Sequence, residues 1–291
     1  MYNYSVIIPH KNSTELLQRC LDSIPDRDDI QIIIVDDNSD KSKVDFSLFP
    51  GLTRRNTVCV FNEAGGGAGR ARNIALSKAV GKWLVFADAD DFFSESFSLI
   101  LDKYKDDEET EMVFFNYRKT RGGAEDIVMP ITRYIVNYQN KRFFSEMVLR
   151  YSAWSPWSRM LKRELQVSNN LYFEELPFSN DMMFVLKATS LCRKIVAEPI
   201  LAYYYYSPST GTQTSVQFHN PSRKQLRLEG AYKLWGFYRS VKYRFISPIW
   251  RTEKSLGIKA DPELKAKYGF KDIYNLSDTF SYLFAKLFKI L

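Results

Sequence analysis

Along the N-terminal part of the chain, short apolar runs alternate with segments whose apolar residues recur at helical spacing. Ser5-Val6-Ile7-Ile8-Pro9 is a β-branched run closed by proline, the pattern of a strand buried on both faces. Thr14 to Ile24 follows with Leu16, Leu17, Cys20, Leu21 and Ile24 on one stripe and Ser13 or Thr14 able to cap it, which predicts a helix. Further strands are predicted at Ile30 to Val35, Thr57 to Phe61, Lys82 to Ala87 and Glu111 to Tyr117. Helices are predicted from Arg70 to Val80, after a flexible Gly65 to Gly69 loop, and from Ser96 to Tyr104. This alternation predicts an α/β fold with a doubly wound, mostly parallel central sheet flanked by helices, whose ligands sit beyond the carboxyl ends of the strands. Two acidic clusters, Asp36-Asp37-Asn38-Ser39 and Asp88-Ala89-Asp90-Asp91, stand at such ends.

Beyond Tyr117 the pattern becomes mixed α+β to about Tyr206. Ser207 to Asn220 is polar and without apolar periodicity, which predicts a mobile loop that would close as a lid, with His219 a candidate contact. The remainder is helical in pattern, broken at Pro248 and Pro262. The charge of +7 is concentrated there: residues 219–291 carry +9 and the rest −2. Phe280, Leu283, Phe284, Leu287, Phe288 and Leu291 share one helical face, and upstream Trp235, Phe237, Tyr238, Tyr243, Phe245 and Trp250 alternate with lysines and arginines. Aromatics mixed with cations suit an anionic membrane surface better than nucleic acid, so no nucleic-acid partner is expected. Packing of the same stripe on the catalytic portion or on a second subunit is the alternative, which leaves a homo-oligomer open.

Three cysteines without metal-type or redox-type spacing indicate a reducing compartment. A strand-like segment from Tyr4 and the lack of an apolar run near ~18 residues lead to the expectation of a cytoplasmic protein, peripheral on the inner face of the membrane. Only two histidines, His10 and His219, argue against a His-built zinc site, so any metal should be a hard cation on carboxylates, Mn²⁺ or Mg²⁺.

The acids at Asp88 and Asp90 can hold such a cation together with a ribose hydroxyl, as a diphosphate leaving group requires; an acidic turn capping the next helix is the plain alternative. Asp36 could accept the imide N–H of uracil, or simply close an Asx turn. Gly65-Gly66-Gly67-Ala68-Gly69-Arg70-Ala71-Arg72-Asn73 fails as a dinucleotide loop, because arginine occupies the place of the third glycine. Its glycines, with Arg72 in the first turn of a helix, still suit a phosphate-bearing ligand.

Taken in order, Ser5 to Asn12, Val35 to Ser39, Gly69 to Asn73 and Asp88 to Asp91 resemble the motifs of family 2 glycosyltransferases of the bacterial cell-surface polysaccharide type, which have the GT-A fold. The resemblance implies that Pro9 and Asn12 border the nucleotide pocket, that Asp36 contacts the base, and that Arg72 lies near the nucleotide. It implies that Asp88, with Ala89, meets the ribose or metal and that Asp90 is the metal ligand. More weakly, Trp157 to Glu164 is similar to the family's acceptor-side segment, and Trp154 and Trp157 could stack on acceptor sugars. Asn180-Asp181 resembles the Glu-Asp pair that supplies the general base; asparagine replaces the first acid, so Asp181 alone can serve, unless it merely caps the next helix. Ser207 stands where many relatives carry an arginine for the diphosphate.

The expected organisation is a GT-A catalytic domain over 1–218, with a nucleotide-sugar half (1–117) and an acceptor half (118–218), then a basic helical region, 219–291. The expected activity is inverting transfer from a nucleotide-diphosphate sugar, a UDP-sugar, to a glycan or lipid-linked acceptor hydroxyl. A non-catalytic carbohydrate-binding relative is one rival. A dinucleotide-dependent oxidoreductase is another, and it would leave both acidic clusters idle.

Overall fold

The computed structural model describes residues 1–121, 126–177, 179–207, 220, 223–243 and 249–268. The chain divides into two units, Met1–Asn140 with Ala153–Thr210, and Lys141–Ser152 with Gly211–Leu291.

The first unit is built on one sheet. Strands β1 (Tyr4–His10), β2 (Ile30–Asp36), β3 (Thr57–Phe61) and β4 (Trp83–Phe86) run parallel in the order β3-β2-β1-β4. Helices α1 (Thr14–Asp22) and α2 (Gly67–Leu76) supply crossovers. Every residue of β2 and β4 is buried, as continuous β-branched and aromatic runs require when both faces are covered. The short strand β5 (Phe92–Phe93) and helix α3 (Phe97–Tyr104) follow. The sheet continues through β6 (Met112–Thr120), with β7 (Ile127–Val128) on its edge, β8 (Arg159–Lys162) and β9 (Ile195–Tyr206). Strand β8 is antiparallel to both β4 and β6, whereas β6 and β9 are parallel. Helices α4 (Pro130–Gln139), α6 (Arg163–Ser168) and α7 (Met182–Leu191) complete the unit.

Two features of this unit bear on the site, the first a departure from the sequence expectation. Helix α2 starts at Gly67, inside the stretch expected to be a flexible loop, and ends at Leu76. Gly66 has no side chain to cap it; the Asp37 carboxylate, from the end of β2, accepts the Gly67 N–H at 2.8 Å instead. Strand β9 runs from Ile195, and its register against β6 shifts between Phe115 and Tyr117. Opposite that shift lies Pro199, which has no N–H for the ladder, so the strand bulges there and its second half is re-aimed.

The second unit contains α5 (Ser145–Ser152), α8 (Lys224–Ser240), α9 (Ile249–Leu256) and α10 (Pro262–Lys267). Leu228, Tyr232, Trp235, Ile249, Leu256 and Leu264 form its core, and Glu253 accepts from the Tyr232 hydroxyl and the Ala260 N–H. Trp235, Tyr238 and Tyr243, read from sequence as headgroup-facing, are instead buried. The Tyr238 hydroxyl donates to the Tyr151 carbonyl at 2.6 Å, and Tyr243 bonds Ser152. The reason is that burial with a satisfied hydroxyl is as favourable for tyrosine as an interface. Phe245, the lid positions 208–219 with His219, and the stripe from Phe280 to Leu291 lie outside the described residues. No described helix is long and apolar enough to cross a membrane.

Candidate functional site

The carboxyl ends of β1, β2 and β4 bring together the segments singled out in the sequence. After β1, Asn12 takes a left-handed conformation (φ 60°), its N–H donates to Ser39 Oγ at 2.8 Å, and its Oδ1 accepts the Asp40 N–H at 2.8 Å. Pro9 is part-buried opposite Val35 in the ladder. Asp36 is 1% exposed. Its Oδ1 lies 2.7 Å from His10 Nδ1, and its Oδ2 accepts the Ser39 N–H at 2.9 Å. Since His10 Nε2 accepts the Ser13 N–H at 3.1 Å, the imidazole proton sits on Nδ1 and points at Asp36. Burial pushes the Asp36 pKa up, but the bonds from His10 and Ser39 together outweigh it and hold the carboxyl below its ordinary range. Both Asp36 oxygens are thus engaged inside the chain, by His10 and Ser39.

The second acidic cluster follows β4. Asp88, Asp90 and Asp91 each offer a carboxylate oxygen, and these oxygens lie within 4.8 Å of one another. Asp91 is fully buried; its oxygens accept the Tyr203 hydroxyl and the Tyr206 N–H, both at 2.8 Å, from the re-aimed half of β9. Tyr203 also receives the Asp88 N–H at 3.0 Å, so one phenol ties the turn together. Burial, then the charges of Asp88 and Asp90, raise the Asp91 pKa well above the usual carboxylate value. Burial and the charge of Asp88 raise Asp90 to about 6. No neighbouring side chain is hydrogen-bonded to the Asp90 carboxylate among the described residues. Three crowded acids, one without a bonded partner, form a hard-oxygen donor set that fits Mg²⁺ or Mn²⁺. Ala89 between them is buried in the core at 8% exposure.

Arg72, on α2, joins this turn to the segment 173–181. Its Nη2 donates to Asp88 Oδ1 at 2.5 Å and its Nη1 to Asn180 Oδ1 at 2.9 Å, while its guanidinium lies over Phe173 at 5.3 Å. Asn73 adds a pair of bonds to Phe173: it donates to the carbonyl at 3.0 Å and accepts the N–H at 2.8 Å. Gly69 permits this approach, because a Cβ there would stand 2.1 Å from the Glu174 carbonyl. Phe173 in turn stacks on Phe184 of α7 at 4.0 Å. The position that read as a lost acid is therefore an acceptor for Arg72, a role an amide oxygen fills.

Asp181, beside Asn180, occupies the N-cap position of α7, with no side-chain capping hydrogen bond among the described residues. Burial raises its pKa, opposed by the Arg72 charge and reinforced by Asp88. The two tryptophans separate. Trp157 is 6% exposed and stacks with Tyr203 at 5.0 Å and Tyr205 at 5.5 Å, within the core; this packing, not a sugar face, is where its ring is used. Trp154 is 42% exposed. Ser207 donates its N–H to the Thr120 carbonyl at 2.9 Å. Arg19, whose Nη2 donates to the Asp90 carbonyl at 2.5 Å, went unread in the sequence; no local signal marks it, because its partner lies far along the chain.

The site thus sets acids at the carboxyl ends of β2 and β4 of an α/β sheet, with Arg72 tying the second cluster, through Asp88, to Asn180. Residues 5–164 match the glycosyl transferase family 2 model, more than half of the chain, and the chain belongs to that family. It is similar to the poly(ribitol-phosphate) β-N-acetylglucosaminyltransferase TarS of Staphylococcus aureus, at 25% identity over 227 residues, covering 76% of this chain and 38% of TarS. It is also similar to a poly(ribitol-phosphate) β-glucosyltransferase of Bacillus spizizenii, at 25% identity over 224 residues, covering 75% of this chain and 34% of that protein. The chain therefore spans little more than a third of the length of these relatives. Among solved structures, residues 1–349 of S. aureus TarS in complex with UDP-GlcNAc match with a TM-score of 0.64 and 20% identity, over 97% of this chain and 73% of that one. A mannosyltransferase from Pyrobaculum calidifontis, in complex with GDP-Man and Mn²⁺, matches with a TM-score of 0.53 and 18% identity, over 98% and 73%. The fold is GT-A, as expected.

Proposed function

We propose that the chain is an inverting glycosyltransferase that moves a sugar from a nucleotide-diphosphate donor to an acceptor hydroxyl. The observation that carries this reading is the Arg72 fork, which holds Asp88 of the acidic turn and Asn180, the neighbour of Asp181, on one guanidinium. Donor-side acids and a carboxylate with a raised pKa are thereby set in one frame. A UDP-sugar is the donor favoured by the TarS complexes with UDP-GlcNAc and UDP.

In this mechanism Pro9, Asn12 and the Asp36–His10–Ser39 frame border the base, and Asp88, Ala89 and Arg72 border the ribose and diphosphate. Asp90, with Asp88, would hold Mn²⁺ or Mg²⁺, which when bound supplies the charge that neutralises a departing diphosphate. Asp181 accepts the proton of the acceptor hydroxyl as its oxygen attacks the anomeric carbon from the face opposite the diphosphate, and the glycosidic bond to that diphosphate breaks in the same step, with inversion. A pKa raised by burial makes Asp181 a stronger base than an ordinary aspartate. Trp154 stacks on the acceptor, a glycan or lipid-linked saccharide.

The domain reading stays as 1–218 catalytic and 219–291 basic and helical. That basic region would bring the enzyme to an anionic membrane surface at the cytoplasmic face; equal, negligible sedimentation with anionic vesicles of the whole chain and of one ending near Asp278 would count against it. The test of the central reading is a screen of nucleotide sugars with Mn²⁺, reading release of free nucleotide diphosphate with and without saccharide acceptors. Release from a UDP-sugar is expected. Binding of donors with no turnover of any would favour the non-catalytic relative.

A further inference from the structure

Arg19 lies on α1, far in sequence from the acidic turn, yet its guanidinium is placed against that turn. Its Nη2 donates to the Asp90 carbonyl at 2.5 Å. The guanidinium lies over the ring of Phe92 at 4.9 Å and over that of Tyr206 at 4.5 Å. Both rings belong to the frame of the same turn. Phe92 stacks on Tyr204 of β9 at 4.9 Å, and the Tyr206 N–H holds Asp91. The neighbouring end of α1 is tied to β5 as well, with the Phe93 N–H donating to Ser23 Oγ at 2.9 Å. Among the described residues Arg19 Nε is buried without a hydrogen-bond partner, a cost that a surface arginine would avoid by turning to water. The chain holds this arginine in place at one end despite leaving the other unsatisfied.

We infer that Arg19 is a positioning residue for the cation site: by gripping the Asp90 carbonyl it fixes the peptide between Asp90 and Asp91 and so aims the Asp90 carboxylate. This rests on the reading that Asp90 takes a divalent cation. A guanidinium beside a cation site repels the cation, so if Arg19 acted through charge alone, its removal would tighten binding. If it acts by fixing the ligand, its removal loosens binding, and partners behind metal ligands are worth roughly 10–100-fold in affinity. Lysine at this position keeps a cation over the rings and one donor, and recovers part of the loss.

The experiment is Mn²⁺ titration of the full chain followed by the electron paramagnetic resonance of free Mn²⁺, on wild type, Arg19→Met and Arg19→Lys, with thermal melts of each in chelator. The expected result is Mn²⁺ binding weakened about 10-fold or more in Arg19→Met, and less in Arg19→Lys. Equal or tighter binding by Arg19→Met, while wild type binds, overturns the inference and leaves the cation reading standing. Lower melting temperatures with unchanged Mn²⁺ affinity also overturn it, since they reduce Arg19 to a packing role. No Mn²⁺ binding by wild type overturns the cation reading and this inference with it.

Discussion

Replacing Gly69 by alanine reverses the sign that helix propensity alone would give. Gly69 sits in the first turn of α2 with ordinary helical backbone, where alanine is up to about 1 kcal/mol more favourable than glycine. The added Cβ, however, would meet the Glu174 carbonyl oxygen at 2.1 Å and the Asn180 Cβ at 3.1 Å, whereas ordinary contact begins at 3.4 Å. The first obstacle is backbone, and it is anchored by the Asn73–Phe173 pair and by the Glu174 N–H donating to the Asn180 carbonyl at 3.0 Å. It cannot swing aside like a side-chain tip. Overpacking of this kind costs about 1–3 kcal/mol, so the net expectation for Gly69→Ala is a loss of about 1–2 kcal/mol. For a chain of this size that lowers the melting temperature by roughly 2–3 °C. The same displacement moves Asn180 and Asp181 away from Arg72, so transfer falls more than donor binding does. Thermal melts read by circular dichroism and a urea titration measure the first effect, and turnover against donor affinity measures the second. A variant that melts at or above wild type would refute the close approach of α2 to the 173–181 segment.

Two further outcomes follow from the electrostatics. Asp181→Asn leaves donor affinity nearly intact and slows transfer by roughly 10²–10⁴, measured as acceptor-dependent release of nucleotide; an unchanged rate would move the base elsewhere, with Glu174 and Glu175 next. Burial and Asp88 lift the Asp90 pKa to about 6, above its unfolded value, so the stability it contributes is complete below the unfolded pKa and is lost as pH rises through about 6. Asp90→Asn in chelator is therefore more stable than wild type at about pH 8, with the gap shrinking by about pH 5; a gap that widens toward acid would contradict the buried, crowded position of Asp90.

The sequence by itself determined the parallel half of the sheet and the two acidic strand ends. These are local properties: burial on both faces demands an unbroken apolar run, and the polar residues that end the run stand where the strand leaves the core. Thr57–Phe61 falls as expected, and the other early strands differ only at their ends. What the polar side chains do was decided by the tertiary structure, because each partner is distant in the chain. Arg72 meets Asn180 across 108 residues, Asn73 meets Phe173 across 100, and Arg19 meets the Asp90 carbonyl across 71. No periodicity carries that information. Asp36, legible as an acid at a strand end, became a frame once His10 and Ser39 closed on it. Trp157, legible as an aromatic beside a basic run, joined the core because the bulge at Pro199 brings Tyr203 and Tyr205 against it. An aromatic ring can bury its face against a sugar or against a neighbouring ring, and only the packed chain decides which of the two it meets.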